Sequence, residues 1–110
     1  MFEVKAIIRH QRLDAVRAAL QTIADMPGVT VSMVHAFSRQ HGRDAMPSEA
    51  APETDLLKLE TVVPVAIADQ VIDAIQQAAT TGRAGDGMVF KIAVADAVRV
   101  RTGERGVGSL

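Results

Sequence analysis

Residues 2–37, FEVKAIIRHQRLDAVRAALQTIADMPGVTVSMVHAF, change their hydrophobic period twice, and this decides the fold. Phe2, Val4, Ala6 and Ile8 alternate with Glu3, Lys5, Ile7 and Arg9, the period-two signature of a half-buried strand. Across 12–25 the period lengthens. Leu13, Val16, Leu20 and Ile23 recur at helical spacing, with Arg12, Arg17 and Gln21 on the outer side. Pro27-Gly28 then breaks the chain, and 29–38 alternates again, with Val29, Val31, Met33, His35 and Phe37 on one face. Strand, helix, strand is the result. A second round follows: a strand over 56–63, a helix opened by Pro64 and carried by Ile67, Val71, Ile72, Ile75 and Ala79, and a strand over 88–94. Gly82 is read as that helix's C-terminal cap.

The doubled unit predicts an α+β, ferredoxin-like βαββαβ sandwich with two helices on one face of the sheet. The other face is expected to carry Ile7, Val34, Val62 and Val89. Phe2 and Phe37 are expected in the core. Two apolar faces on so small a domain call for a partner, and a second copy is the simplest one. Between the second and third strands, residues 39–55 (RQHGRDAMPSEAAPETD) have no period, so a long loop is expected there. The tail VRVRTGERGVGSL, 98–110, is small and charged and is expected to fray.

Composition narrows the function. A chain of 110 residues is one domain, here 1–110. Twelve Lys and Arg against 13 Asp and Glu leave a net charge of -1, which disfavours a nucleic-acid-coating role. With three Phe and no Trp or Tyr, few rings are available to stack on bases. Cysteine is absent, which removes disulfides, thiolate metal sites and a Cys nucleophile. No apolar run is long enough to span a membrane, and the charged start does not look like a signal peptide, so the cytoplasm is the expected compartment.

Three segments can carry chemistry. In TGRAGDGMVF, 81–90, Gly82, Gly85 and Gly87 surround Arg83 and Asp86, so the turn either converges its N–H groups on an anion or is a tight helix-to-strand connection. In VRVRTGERG, 98–106, Arg99 and Arg101 stand two apart and, if extended, grip phosphate oxygens together; alternatively the segment pairs with Asp96 and Glu104. At Ser38-Arg39-Gln40-His41-Gly42, Arg39 suits an anion and Gln40 a hard cation. His10, His35 and His41 lack the spacing of a single-chain metal site, and no catalytic triad or carboxylate pair stands out.

Together these pieces resemble the PII signal-transduction family. TGRAGDGMVF followed by RVRTGERG is similar to that family's signature, as are KAIIR with LDAVRAAL, the TV-x-x-V-x-x-F-x-RQ-x-G run at 30–42, and KLETVVP at 58–64. The resemblance covers nearly the whole chain except 43–55. It implies a compact homotrimer that binds adenine nucleotides (ATP, ADP or AMP) in clefts between subunits. The loop 39–55 would contact a target transporter or enzyme. The family regulates rather than catalyses, with at most slow ATP hydrolysis.

The resemblance also implies residue roles. Gly85, Asp86 and Gly87 match the loop that cradles phosphates; Arg99 and Arg101 match arginines reaching them from the neighbouring subunit; Arg39 matches another phosphate ligand. Thr30, Glu60 and Val62 match residues around the adenine, with Ile7 beside it. Gln40, with Gly42 close by, matches the residue that helps hold magnesium and 2-oxoglutarate. Several positions depart from the pattern. Met88 replaces the usual phosphate-binding lysine, which weakens a triphosphate more than a monophosphate. Leu56 replaces the lysine that pairs with 2-oxoglutarate, and Ala36 and Ser38 replace glycines. The uridylylated tyrosine is absent, since the chain has no Tyr. A divergent member answering to another effector and regulating bicarbonate or metal transport is therefore the alternative. A small phosphate-handling enzyme or an RNA-binding module on the same fold are the remaining readings; the latter would want exposed sheet aromatics, and of the three Phe two, Phe2 and Phe37, are expected in the core.

Overall fold

A computed structural model describes residues 1–37 and 54–110. The elements run β1 (Phe2–Arg9), a 3-10 turn (His10–Arg12), α1 (Leu13–Gln21), β2 (Thr30–Ala36), β3 (Thr54–Val63), α2 (Val65–Ala79), β4 (Gly87–Ala93) and a closing 3-10 turn (Val107–Ser109). The four strands form one antiparallel sheet in the order β2-β3-β1-β4. This is the expected α+β, ferredoxin-like βαββαβ arrangement.

Strand alternation puts Val4, Ala6 and Ile8 of β1 and Leu57, Leu59 and Val63 of β3 under the helices. Helical spacing brings Val16 and Leu20 of α1 and Ala68, Val71, Ile75 and Ala79 of α2 down onto them. Thr61 shares the buried face, and its hydroxyl donates to the Gly28 carbonyl at 2.9 Å. That bond ties β3 to the connection before β2 and satisfies a buried hydroxyl.

The register sorts the uncovered face into rows: Met88, Ile7, Lys58 and Ser32; Phe90, Lys5, Glu60 and Thr30; Ile92, Glu3 and Val62. Val89 therefore lies on the helix side, opposite Ala6 and packed against the core, and not on the uncovered face as expected. Met88, Phe90 and Ile92 take that face instead. Phe2 packs on the core, but Phe37 is 80% exposed, beyond the end of edge strand β2.

Other boundaries shift. The helix expected over 12–25 shortens to 13–21, and Arg12 turns inward to donate twice to the Ala78 carbonyl (2.9 and 2.7 Å). Strand β3 begins at Thr54, two residues inside the expected loop, with His35 ion-paired to Asp55 at 2.8 Å. Pro64 caps α2, whose C-cap is Thr80 in extended backbone, so Gly82 lies in the following turn and does not cap the helix. The tail does not fray. Val98 bridges Arg105, the Arg99 amide bonds the Glu104 carbonyl, and Gly106 bonds Ala97, making a small hairpin.

Candidate functional site

The connection between α2 and β4 is a glycine turn built around one carboxylate. Asp86 Oδ2 accepts from the amides of Thr81 (2.7 Å) and Gly82 (3.0 Å). Its Oδ1 accepts from Arg9 Nε at 2.9 Å and from the Thr81 hydroxyl. These bonds favour the ionised form. The Thr81 hydroxyl and amide, then the Arg9 guanidinium, hold Asp86 well below the usual carboxylate range. Arg9 Nη2 also donates to the Ala84 carbonyl at 2.7 Å. The anion on which the Thr81 and Gly82 amides converge is thus the chain's own Asp86.

Gly87 is required sterically. A Cβ there would be driven into the Ile7 carbonyl oxygen, and its φ of 115° is unfavourable for side chains. Gly85 is favoured by its φ of 89°; a Cβ there would meet only Arg9 Nη2, at an ordinary contact distance of 3.4 Å. These two glycines let the start of β4 press against the end of β1, which puts the Ile7 and Met88 side chains beside the turn.

Thr30, Glu60 and Val62 lie on the same uncovered face, across β2 and β3. Glu60 sits in a charged cluster with Glu3, Lys5 and Lys58; Lys58 Nζ is 3.4 Å from it. A hydrogen bond with Glu3, then Lys58, lowers the Glu60 pKa. Leu56, facing Arg9 and Val34, is almost fully buried.

The two arginines of the hairpin differ. Arg99 is held by Glu104 (3.2 Å) and by the carbonyls of Ser109 (3.2 Å) and Leu110 (3.4 Å). Arg101 lies at the exposed turn and has no ion pair or hydrogen bond among the described residues. The segment is not extended, so the expected parallel grip is replaced by one held and one free guanidinium. Arg105 pairs with Asp96 at 2.7 Å. The local pairings weighed as the alternative for this segment therefore form, while Arg101 stays outside them. Arg39, Gln40 and Gly42 lie outside the described residues.

The structure thus gathers Ile7, Gly85, Asp86 and Gly87 at one end of β1 and β4, places Thr30, Glu60 and Val62 across the same face, and leaves Arg99 and Arg101 on a separate hairpin. Sequence reasoning missed Arg9 and Thr81, the side chains that hold Asp86. A hollow of about 330 Å³ beside the turn is lined by Ile7, Asp86, Gly87 and Met88 together with Ile72 and Gln76 of α2. A larger one, about 580 Å³, lies between α1 and β2 and contains none of the expected site residues. Among the described residues no group of three His, Cys, Asp or Glu can hold a metal ion, and no helix is long and apolar enough to cross a membrane.

The fold and the site define a ferredoxin-like domain with a glycine turn, closed on its own Asp86, at the head of its last strand. A family model described as "Nitrogen regulatory protein P-II" matches residues 1–104. A P-II protein of Rhodospirillum rubrum is 43% identical over 109 residues, covering 96% of each chain. P-II 1 of Escherichia coli K12 is 41% identical over 107 residues, covering 94% of this chain and 95% of its own. The crystal structure of Arabidopsis thaliana PII bound to citrate superposes with a TM-score of 0.81 at 38% identity, covering 99% of this chain and 91% of that one. The chain belongs to the P-II family of nitrogen regulatory, signal-transduction proteins.

Proposed function

We propose that this protein is a single-domain (1–110) P-II regulator, not a catalyst, that binds an adenine nucleotide (ATP, ADP or AMP) between subunits of a homotrimer. In this reading it works in the cytoplasm and signals to a transporter or enzyme through residues 39–55, without binding nucleic acid. The Gly85–Gly87 turn meets the phosphates, Ile7, Thr30, Glu60 and Val62 surround the base, and Arg101 with Arg99 closes from a neighbouring copy. Arg39, Gln40 and Gly42 complete the phosphate and magnesium side.

The observation that carries this reading is the uncovered sheet face. Helices α1 and α2 cover one side of the sheet, while Ile7, Glu60 and Val62 share the side that no described helix covers. The donor set fits a phosphate ester. The turn glycines keep side chains off the backbone, and Arg101, on an exposed tip, has no ion pair among the described residues. Met88 adds no charge beside the turn, so affinity should not rise with a third phosphate.

Leu56 favours a second effector other than 2-oxoglutarate. A buried leucine on that face offers a dicarboxylate no counter-charge, which leaves a regulator of bicarbonate or metal transport with a different effector as the second reading.

Calorimetric titration with AMP, ADP and ATP, with and without magnesium and 2-oxoglutarate, tests both parts. Binding of at least one nucleotide is expected, with no gain from 2-oxoglutarate, and Arg101→Ala should weaken it by about tenfold or more while leaving Tm unchanged. Absence of binding by the unmodified protein overturns the nucleotide reading. Strong enhancement by 2-oxoglutarate overturns the second-effector reading.

A further inference from the structure

We propose that Arg9 is the positioning residue of the glycine turn: it sets phosphate affinity by shaping residues 84–87 and neutralising Asp86, without itself being the phosphate ligand. This rests on the nucleotide reading above.

Arg9 is the last residue of β1, 77 positions from Asp86, and its side chain is three-quarters buried. It faces two acceptors in different directions, the Asp86 carboxylate through Nε and the Ala84 carbonyl through Nη2. Only a planar fork makes both bonds at once, because a lysine ammonium is a single point on a flexible stem. The second bond fixes the peptide that leads into Gly85, whose φ of 89° favours glycine. The amides of Ala84 and Gly85 have no acceptor among the described residues, so they remain available to an incoming anion.

The electrostatic argument is independent of the shape argument. Asp86 stays ionised, held so by Thr81 and Arg9. An uncompensated carboxylate in a phosphate-binding turn would repel the ligand with each added phosphate charge. Arg9 cancels it at 2.9 Å. Removing Arg9 should therefore weaken binding more for a diphosphate than for the bare nucleoside.

The test measures ADP and adenosine affinity for wild-type protein, Arg9→Met, Arg9→Lys, Asp86→Asn and the Arg9→Met/Asp86→Asn double variant, with trimer content checked by light scattering. Arg9→Met is expected to weaken ADP by about tenfold or more while changing adenosine by less than about twofold. Arg9→Lys should recover part of the loss. In the Asp86→Asn background Arg9→Met should have a smaller effect on ADP, because its carboxylate partner is already gone. Equal losses for ADP and adenosine would reduce Arg9 to a stability role and overturn the proposal. Fully additive losses would make Arg9 a direct ligand and also overturn it. Should Arg9→Met not fold, the same comparison is read from Arg9→Lys and Asp86→Asn, where an unchanged ADP-to-adenosine ratio overturns it. Failure of the unmodified protein to bind ADP overturns the nucleotide reading, and this proposal with it.

Discussion

Residues 80–87 and 96–110 are both rich in glycine, both combine arginine with acidic side chains, and both hold glycines at positive φ (Gly82, Gly85 and Gly87 in the first, Gly103 and Gly106 in the second). Their relation to the body is opposite. The first is anchored from a distance: Arg9, on β1, reaches Asp86, and Gly87 packs against the Ile7 backbone. Among the described residues the second bonds only to itself. Its hydrogen bonds and ion pairs (Arg99 with Glu104, Arg105 with Asp96, Ser109 with Ala97) close within the segment, and Val100 at its turn is 99% exposed. Composition alone does not separate an anchored turn from a free-standing one. What separates them is whether a residue far away in sequence arrives with the right geometry.

The sharpest way to break this contrast is to add the same methyl group to both. Gly87→Ala pushes a Cβ into the Ile7 carbonyl and should destabilise the protein by about 3 kcal/mol or more, read as a fall in denaturant midpoint. Gly103→Ala meets nothing within 4 Å and bears only its φ of 74°, so about 1–2 kcal/mol, confined to the hairpin, is expected. Equal effects would mean that the turn is no more tightly anchored than the hairpin.

Acid sharpens the contrast further. Asp86 is depressed in the folded protein, so its stabilisation is complete at neutral pH and is lost only as pH falls toward its lowered value. The Tm gap between wild-type and Asp86→Asn should therefore be full at pH 7 and narrow below about pH 4, where the unfolded carboxyl begins to hold its proton. A gap that widens in acid would contradict the assigned bonds. The smallest effect belongs to Glu104→Gln. Its partner Arg99 is partly exposed, and screening limits the loss to about 0.2–1 kcal/mol, visible as faster amide exchange at Gly103 and Arg99.

Much of the fold was legible because period and punctuation agree. β1 alternates cleanly, and the spacing of Leu13, Val16 and Leu20 admits only a helix. Where both parities are apolar the reading fails. Met88, Val89, Phe90 and Ile92 have no polar phase, so only pairing with β1 decides that Val89 faces the helices and Met88 the open side. Phe37 reads as core because it continues the alternation of β2, but it lies beyond the end of that edge strand and, among the described residues, no further strand pairs with that edge. The tail looked loose because its composition is small and charged, while opposite charges at the right local spacing fold it.

The candidate site divides along the same line. Glycines at 85 and 87 around Asp86 announce an unusual turn, and the family resemblance supplied roles for its neighbours. No local pattern marks Arg9 as the residue that holds the turn, since it reads as an ordinary outward-facing strand arginine. The sequence by itself determined the order of the elements, the faces of β1 and the helices, and the positions where only glycine serves, because those follow from period and from a missing Cβ. Tertiary structure alone decided the register of β4, the burial of Leu56 and the Arg9–Asp86 bond. Each of these depends on two segments meeting across the sheet, and that encounter is set by packing the whole core.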